Sequence, residues 1–218
     1  MPSLFKEVMR MKENITVLDL AKRRKSIRKY SKEPVNINDV LYAISTALQA
    51  PSGANRQPWR FILVTDENVK KKLREVCERG EKRFYESGKA PEWFKKWTRE
   101  RGITWSKPFL TDAPYLIVVV SKKSEPYSKE STWLAIGYLL LALEEKGIAS
   151  LTYTPSNPRE VMKVLRIPEN YSLEVIVPVG KAAEEKIKEP RLAIKETLFY
   201  NLWGNIFQKT AITSNIEC

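Results

Sequence analysis

Apolar residues recur at helical or strand spacing along most of the chain. Ile37, Val40, Leu41, Ile44 and Leu48 fall on one stripe, the signature of an amphipathic helix. Asn36 can cap its start, and Pro51 closes it shortly after Leu48. An earlier helical period covers residues 16–24 and leads into the basic run RRKSIRKY. Residues 60–65, RFILVT, predict a strand, and 67–79 predict a helix with Val69, Leu73 and Val76 on one side. Further on, the pattern predicts strand 115–120, helix 131–146 stopped by Gly147, and strand 148–153. Asn157 and Pro158 predict an N-cap followed by proline at the first helical position, opening a short helix to Leu165. A strand over 173–179 and a helix over 194–202 complete the series.

Residues 80–110 break this regularity. They are charged and aromatic, with Phe84, Tyr85, Trp93, Phe94, Trp97, Trp105 and Phe109, and carry no continuous period. A mobile, helical, lid-like insertion fits them better than a linker. With no internal repeat or low-complexity segment, the expectation is one α+β domain over residues 1–218. It has a lid at 80–110 and a C-terminal extension at 203–218.

Composition narrows the chemistry. The 218 residues contain no histidine, which excludes Ser-His-Asp and Cys-His nucleophilic chemistry and histidine-ligated metal sites. Cys77 and Cys218 form no CxxC pair, so neither a disulfide framework nor a metal site is expected. An enzyme of this composition borrows its reactive group from a cofactor. The net charge of +12 raises the question of nucleic acid. A Lys/Glu-rich solvated surface, as in thermophilic proteins, accounts for most of it, and basic proteins also attract phosphate-bearing cofactors. No apolar run is long enough to cross a bilayer, and the N-terminus lacks a signal-peptide pattern. A soluble, cytoplasmic protein with no membrane and no nucleic-acid partner is the expectation.

Three segments carry candidate chemistry. Arg24, Lys25, Ser26 and Arg28 gather cations and a hydroxyl within five residues, which suits a phosphate, though a basic helix end on a solvated face has the same spacing. The stretch from Ala50 to Trp59, APSGANRQPW, sets small polar residues between a helix and a strand. Its freed amides, with Asn55 and Gln57, can bond the edge of a heteroaromatic ring, or form a plain turn over a buried Trp59. The stretch from Thr152 to Pro158, TYTPSNP, ends a predicted strand, where free amides collect for a ligand or for a helix cap alone. None of the eight glycines forms GxG, so there is no Rossmann or P-loop cradle.

Taken together and in order, these segments resemble the flavin-binding segments of the nitroreductase family, with Lys188 to Arg191 as a late basic element. The resemblance runs from about residue 16 to 203. It implies a central, mostly antiparallel sheet flanked by helices, in a homodimer whose C-terminal tails are exchanged. FMN is the implied cofactor and NAD(P)H the implied co-substrate. Arg24, Ser26 and Arg28 would hold the FMN phosphate, with Arg191 helping. Lys25 stands where many relatives carry arginine, keeping the charge without the fork. Pro51, Ser52, Gly53, Ala54, Asn55 and Gln57 would reach the flavin of the other subunit. Thr154, Pro155 and Ser156 would line its ring near N5, with Thr154 as the catalytic donor.

The lid bears a narrower resemblance, to the iodotyrosine deiodinase branch of that family. Glu81, Tyr85 four residues later, and Lys107 in WSKPFL match the pattern that holds an amino-acid zwitterion there. Glu and Tyr at that spacing also occur on any charged helix. The main expectation is therefore an FMN-dependent oxidoreductase passing electrons from NAD(P)H to a small organic acceptor, such as a nitroaromatic or quinone, by a ping-pong mechanism. Reductive dehalogenation of halotyrosines is the alternative, and a basic nucleic-acid-binding module the remote one.

Overall fold

A computed structural model describes residues 15–206, divided after Lys186 into two compact units. The first is a four-stranded antiparallel sheet with helices on both faces. In chain order it contains α1 (Val17–Arg23), α2 (Ile37–Ala47), β1 (Trp59–Val64), α3 (Glu67–Glu86), α4 (Glu92–Glu100), α5 (Phe109–Asp112), β2 (Tyr115–Lys122), α6 (Ser128–Glu145), β3 (Ala149–Ser150), α7 (Pro158–Val164) and β4 (Tyr171–Gly180). The strand order is β1-β2-β4-β3. No helix among the described residues is long and apolar enough to cross a membrane.

The period-two pattern of β2 and β4 sorts side chains to opposite faces. Ile117, Val119, Val175, Val177 and Val179 pack with Val40, Ala43 and Ala47 of α2 and Ile136, Leu139 and Leu143 of α6. Leu116, Val118 and Ile176 point the other way, against Leu73, Val76 and Cys77 of α3, Phe109 and Leu110 of α5, and Val161 of α7. A bulge sets Val119 opposite Val175 and Val120 opposite Leu173, leaving Glu174 as the extra residue. Buried Glu174 accepts hydrogen bonds from the Ser121 hydroxyl (2.6 Å) and the Trp133 indole N–H (2.9 Å). Asn36 caps α2 as expected, and Asp66 caps α3. Asn36 accepts from Asn38 N, and Asp66 accepts from Val69 N.

Several expectations need correction. The helix at 67–79 continues to Glu86, so Glu81 and Tyr85 belong to α3 rather than to a separate excursion. The rest of 80–110 holds α4 and the start of α5. Strand 148–153 shrinks to Ala149–Ser150, with a single later rejoining where Tyr153 and Ile176 exchange backbone hydrogen bonds of 2.9 and 2.8 Å. The segment beyond carries Pro155 and Pro158, which have no N–H to extend a ladder. Asn157 precedes α7 without a side-chain cap bond.

The second unit, described over 187–206, holds α8 (Ile194–Thr197) and a backbone pairing of Phe199 with Ile206. The expected helix to 202 stops early because Leu198 is extended and Asn201 adopts a positive φ of 62°. Most of the predicted 203–218 extension, and both chain ends, lie outside the described residues.

Candidate active site

A cavity of about 490 Å³ opens between the C-terminal half of α3, the 101–109 segment and the chain leaving β3. That size lies within the usual range for small-molecule sites, roughly 300–1,000 Å³. Its polar wall contains Glu81, Tyr85, Lys107, Arg28 and Thr154, and its apolar wall includes Phe94, Trp97, Ile103, Phe109 and Leu151.

Glu81 is the hub. It is 7% exposed, and one oxygen, Oε1, accepts from the Tyr153 hydroxyl (2.9 Å) and the Ser156 amide (3.1 Å). The other, Oε2, lies 3.9 Å from the Lys107 ammonium. Gly80 eases the close approach of the Ser156 segment. A Cβ there would meet Asn157 Cβ at 3.0 Å and Ser156 Oγ at 3.1 Å, so a side chain would press this segment back from α3 by a few tenths of an ångström.

Lys107 is 5% exposed. Its ammonium donates to the Thr104 carbonyl and lies 5.6 Å from the centre of the Tyr85 ring. Burial pushes that ammonium below the ordinary lysine value, against the opposing pull of Glu81, and Arg28 adds to the depression. Glu78 holds the Lys107 backbone in place, accepting from Lys107 N (2.7 Å), the Ser106 hydroxyl (3.0 Å) and Arg74 Nε (2.8 Å). Burial opposes ionisation of Glu78, but these bonds outweigh it and hold its carboxyl below the ordinary value. Burial first, then the Glu81 charge, raises the Tyr85 phenol. The Cys77 thiol behind Tyr153 is pushed up by burial to about 12, so it is no nucleophile at neutral pH.

The flavin-type segments divide into two groups. Segment 24–28 runs beside the strand end. Ser26 bridges to Ser150, Ile27 N donates to the Ser150 carbonyl (3.1 Å), and Arg28 lines the cavity with Leu151, Thr152 and Thr154. Arg24, Lys25 and Ser26 are half-buried along the same edge. Pro155 is buried, while Thr154 and Ser156 remain exposed. A cationic segment, a hydroxyl and a cavity with one apolar wall thus adjoin, which fits a planar ring carrying a phosphate.

The 51–57 loop is not among the residues lining this cavity. It packs on the start of α6, where Gly53 N donates to Ser131 Oγ (3.3 Å) and a Cβ on Gly53 would meet the Tyr127 ring at 2.7 Å. Ala54, Asn55 and Gln57 all take positive φ, and the loop is tied by Gln57 N to Ser52 Oγ (3.0 Å). Pro51, Ala54, Asn55 and Gln57 are exposed, Ser52 and Gly53 half-buried, and Trp59 is buried in the core as a turn anchor. Arg191, in the second unit, donates to the Glu189 and Pro190 carbonyls.

Three contributors escaped the sequence reading: Tyr153, Glu78 and the Thr104 carbonyl. Tyr153 sat inside a quoted motif but read only as a strand residue. Glu78 and Glu81 lie one helical turn apart, a signal hidden by ending α3 at 79.

The profile of the nitroreductase family matches residues 21–181. The iodotyrosine deiodinase of Thermotoga neapolitana is 53% identical over 173 residues, covering 79% of this chain and 92% of that protein. That of Haliscomenobacter hydrossis is 37% identical, covering 74% and 77%. An oxidised iodotyrosine deiodinase crystallised with FMN and 3-iodo-L-tyrosine superposes with a TM-score of 0.82 at 50% identity, over 86% of this chain and all of that one.

Proposed function

The chain belongs to the nitroreductase family, and on that premise we propose that it is an FMN-dependent reductive dehalogenase of halotyrosines. The observation that carries the reading is the convergence of Glu81, Tyr85 and Lys107 on one cavity with Thr154. An oxidoreductase aimed at nitroaromatics or quinones has no need for a buried carboxylate and ammonium held 3.9 Å apart. The broader expectation of such acceptors therefore gives way to the dehalogenase. The similarity to deiodinases of known name supports the same choice.

A tyrosine-like zwitterion suits this wall. Its ammonium would take the Glu81 oxygen left free by Tyr153 and Ser156, and its carboxylate the Lys107 ammonium. The Tyr85 hydroxyl would add a further bond, and the phenol ring would lie between the aromatic wall and the flavin. Arg24, Lys25, Ser26 and Arg28 would hold the FMN phosphate, and Thr154, Pro155 and Ser156 would flank the ring. Bound FMN supplies electrons two at a time or singly, with NAD(P)H or another reductant restoring it. Overall, two electrons and a proton replace the carbon–iodine bond with carbon–hydrogen, and iodide leaves. The protein's part is to orient the substrate, exclude water and hold a proton at the Thr154 hydroxyl.

A homodimer belongs to the proposal. Ile37, Leu41 and Tyr42 of α2 and Leu134 and Tyr138 of α6 leave an exposed apolar face. The 51–57 loop sits at the α6 end of that face, with its small polar side chains turned to solvent and available to a partner's flavin. Exposed Leu192, Leu202 and Trp203 in the second unit suit an exchanged tail.

The test is direct. The purified protein should be yellow, release FMN on denaturation, and liberate iodide from 3-iodotyrosine when reduced with dithionite. An FMN-loaded protein that reduces nitroaromatics yet neither binds 3-iodotyrosine nor releases iodide would refute the assignment.

A further inference from the structure

Tyr153 is buried, and its hydroxyl has a defined task. The ring stacks edge-on against Phe109, with centroids 5.4 Å apart. Its backbone is pinned to Ile176 of β4 by hydrogen bonds in both directions. From that fixed base the hydroxyl donates to Glu81 Oε1 at 2.9 Å, the same oxygen that receives the Ser156 amide. Both donors fall on one side of the carboxylate, so Oε2 is the oxygen left towards Lys107. Between these two donors in sequence stands Thr154, exposed on the cavity.

Resting on the halotyrosine reading, we propose that Tyr153 is a positioning residue for the amino-acid end of the substrate. It locks the Glu81 carboxylate in one rotamer, presents Oε2 to the ammonium, and ties that carboxylate to the segment carrying Thr154. Two donors on one oxygen oppose rotation, since turning the carboxylate would break both bonds. A merely structural tyrosine would stabilise the core and leave ligand discrimination untouched.

The experiment compares Tyr153→Phe with the unaltered holoprotein, using 3-iodotyrosine and a 2-iodophenol lacking the amino-acid end as paired ligands. The variant keeps the ring and its packing against Phe109. We expect its preference for iodotyrosine over iodophenol to fall about tenfold, the size of losing one hydrogen bond to a charged group. FMN content should be unchanged. Tyr153→Leu, which lacks the ring as well, should show the same loss of preference together with a lower melting temperature. Equal weakening of both ligands, or an unchanged preference in Tyr153→Phe, would overturn the role of Tyr153. Failure of the unaltered protein to bind iodotyrosine would instead overturn the functional reading beneath it, so the two failures are told apart.

Discussion

The two faces of the sheet solve the burial of polar groups in opposite ways. On the α2/α6 face, Glu174 is closed off, each oxygen taken by its own short hydrogen bond from Ser121 or Trp133. Around it Val119, Val175 and Val177 pack with Trp59, Ile136 and Leu139. On the α3/α5/α7 face, Glu81 and Lys107 are equally buried but meet at 3.9 Å beside a cavity. A closed pair adds to one fold; a loose pair leaves charge capacity for a ligand. Burying ions is costly unless each is paired and hydrogen-bonded, so the 3.9 Å gap leaves Glu81 and Lys107 less tightly satisfied by each other than Glu174 is by its partners.

This contrast can be broken from either side. The largest effect belongs to the closed face. Leu139 is fully buried between α6 and the sheet, and Leu139→Ala should cost about 3 kcal/mol of stability. Thermal or urea unfolding reads that loss, while iodotyrosine affinity of the folded protein should hold. If affinity falls in step with stability, the faces are not separate in function.

On the open face, Lys107→Ala should raise the Kd for iodotyrosine about 50-fold, as expected for losing a buried charge partner. The Glu81 hydrogen bonds to Tyr153 and Ser156 remain in that variant, so unfolding should shift less than for Leu139→Ala. Titration calorimetry on the FMN-loaded protein checks both parts. A destabilised variant with unchanged affinity would make Lys107 a structural residue.

The smallest effect is a pH dependence. Lys107 must be charged to hold a carboxylate, and its burial lowers the pH at which it loses the proton. Affinity for iodotyrosine should therefore fall as pH rises, beginning below the ordinary lysine value of 10.5. Lys107→Arg stays charged throughout, because a guanidinium does not titrate in this range. The ratio of affinities, unaltered protein to variant, should drop by a few-fold across the alkaline limb. A flat ratio would show that Lys107 carries no ligand charge.

Several parts of this picture were legible from residues alone. Period-3.6 stripes located most helices, and short continuous apolar runs located the strands, because β2 and β4 are covered on both faces. The absence of histidine pointed to a borrowed cofactor, and the short motifs around Ser26, Ser52 and Thr154 carried the family. Glu81, Tyr85 and Lys107 were named too, through the resemblance of the lid to the deiodinase branch. Their surroundings were out of reach. A carboxylate at a helical position reads as surface unless its partners are known, and those of Glu81 lie 72 and 75 residues away, at Tyr153 and Ser156.

Local pattern thus determined the elements, and the short motifs, through their resemblance to a family, implied the cofactor and the ligand-type side chains. Tertiary structure alone decided that Tyr153 and Ser156 take one oxygen of Glu81, that Gly80 eases the approach of the Ser156 segment, and that Glu78 fixes the Lys107 backbone. Those contacts join α3 to the 104–107 segment and to the chain leaving β3, and they exist only once the sheet brings these segments together. The opening pairing of Glu81 with Lys107 is of that kind: its charges are written in the chain, but its loose 3.9 Å spacing is a property of the fold.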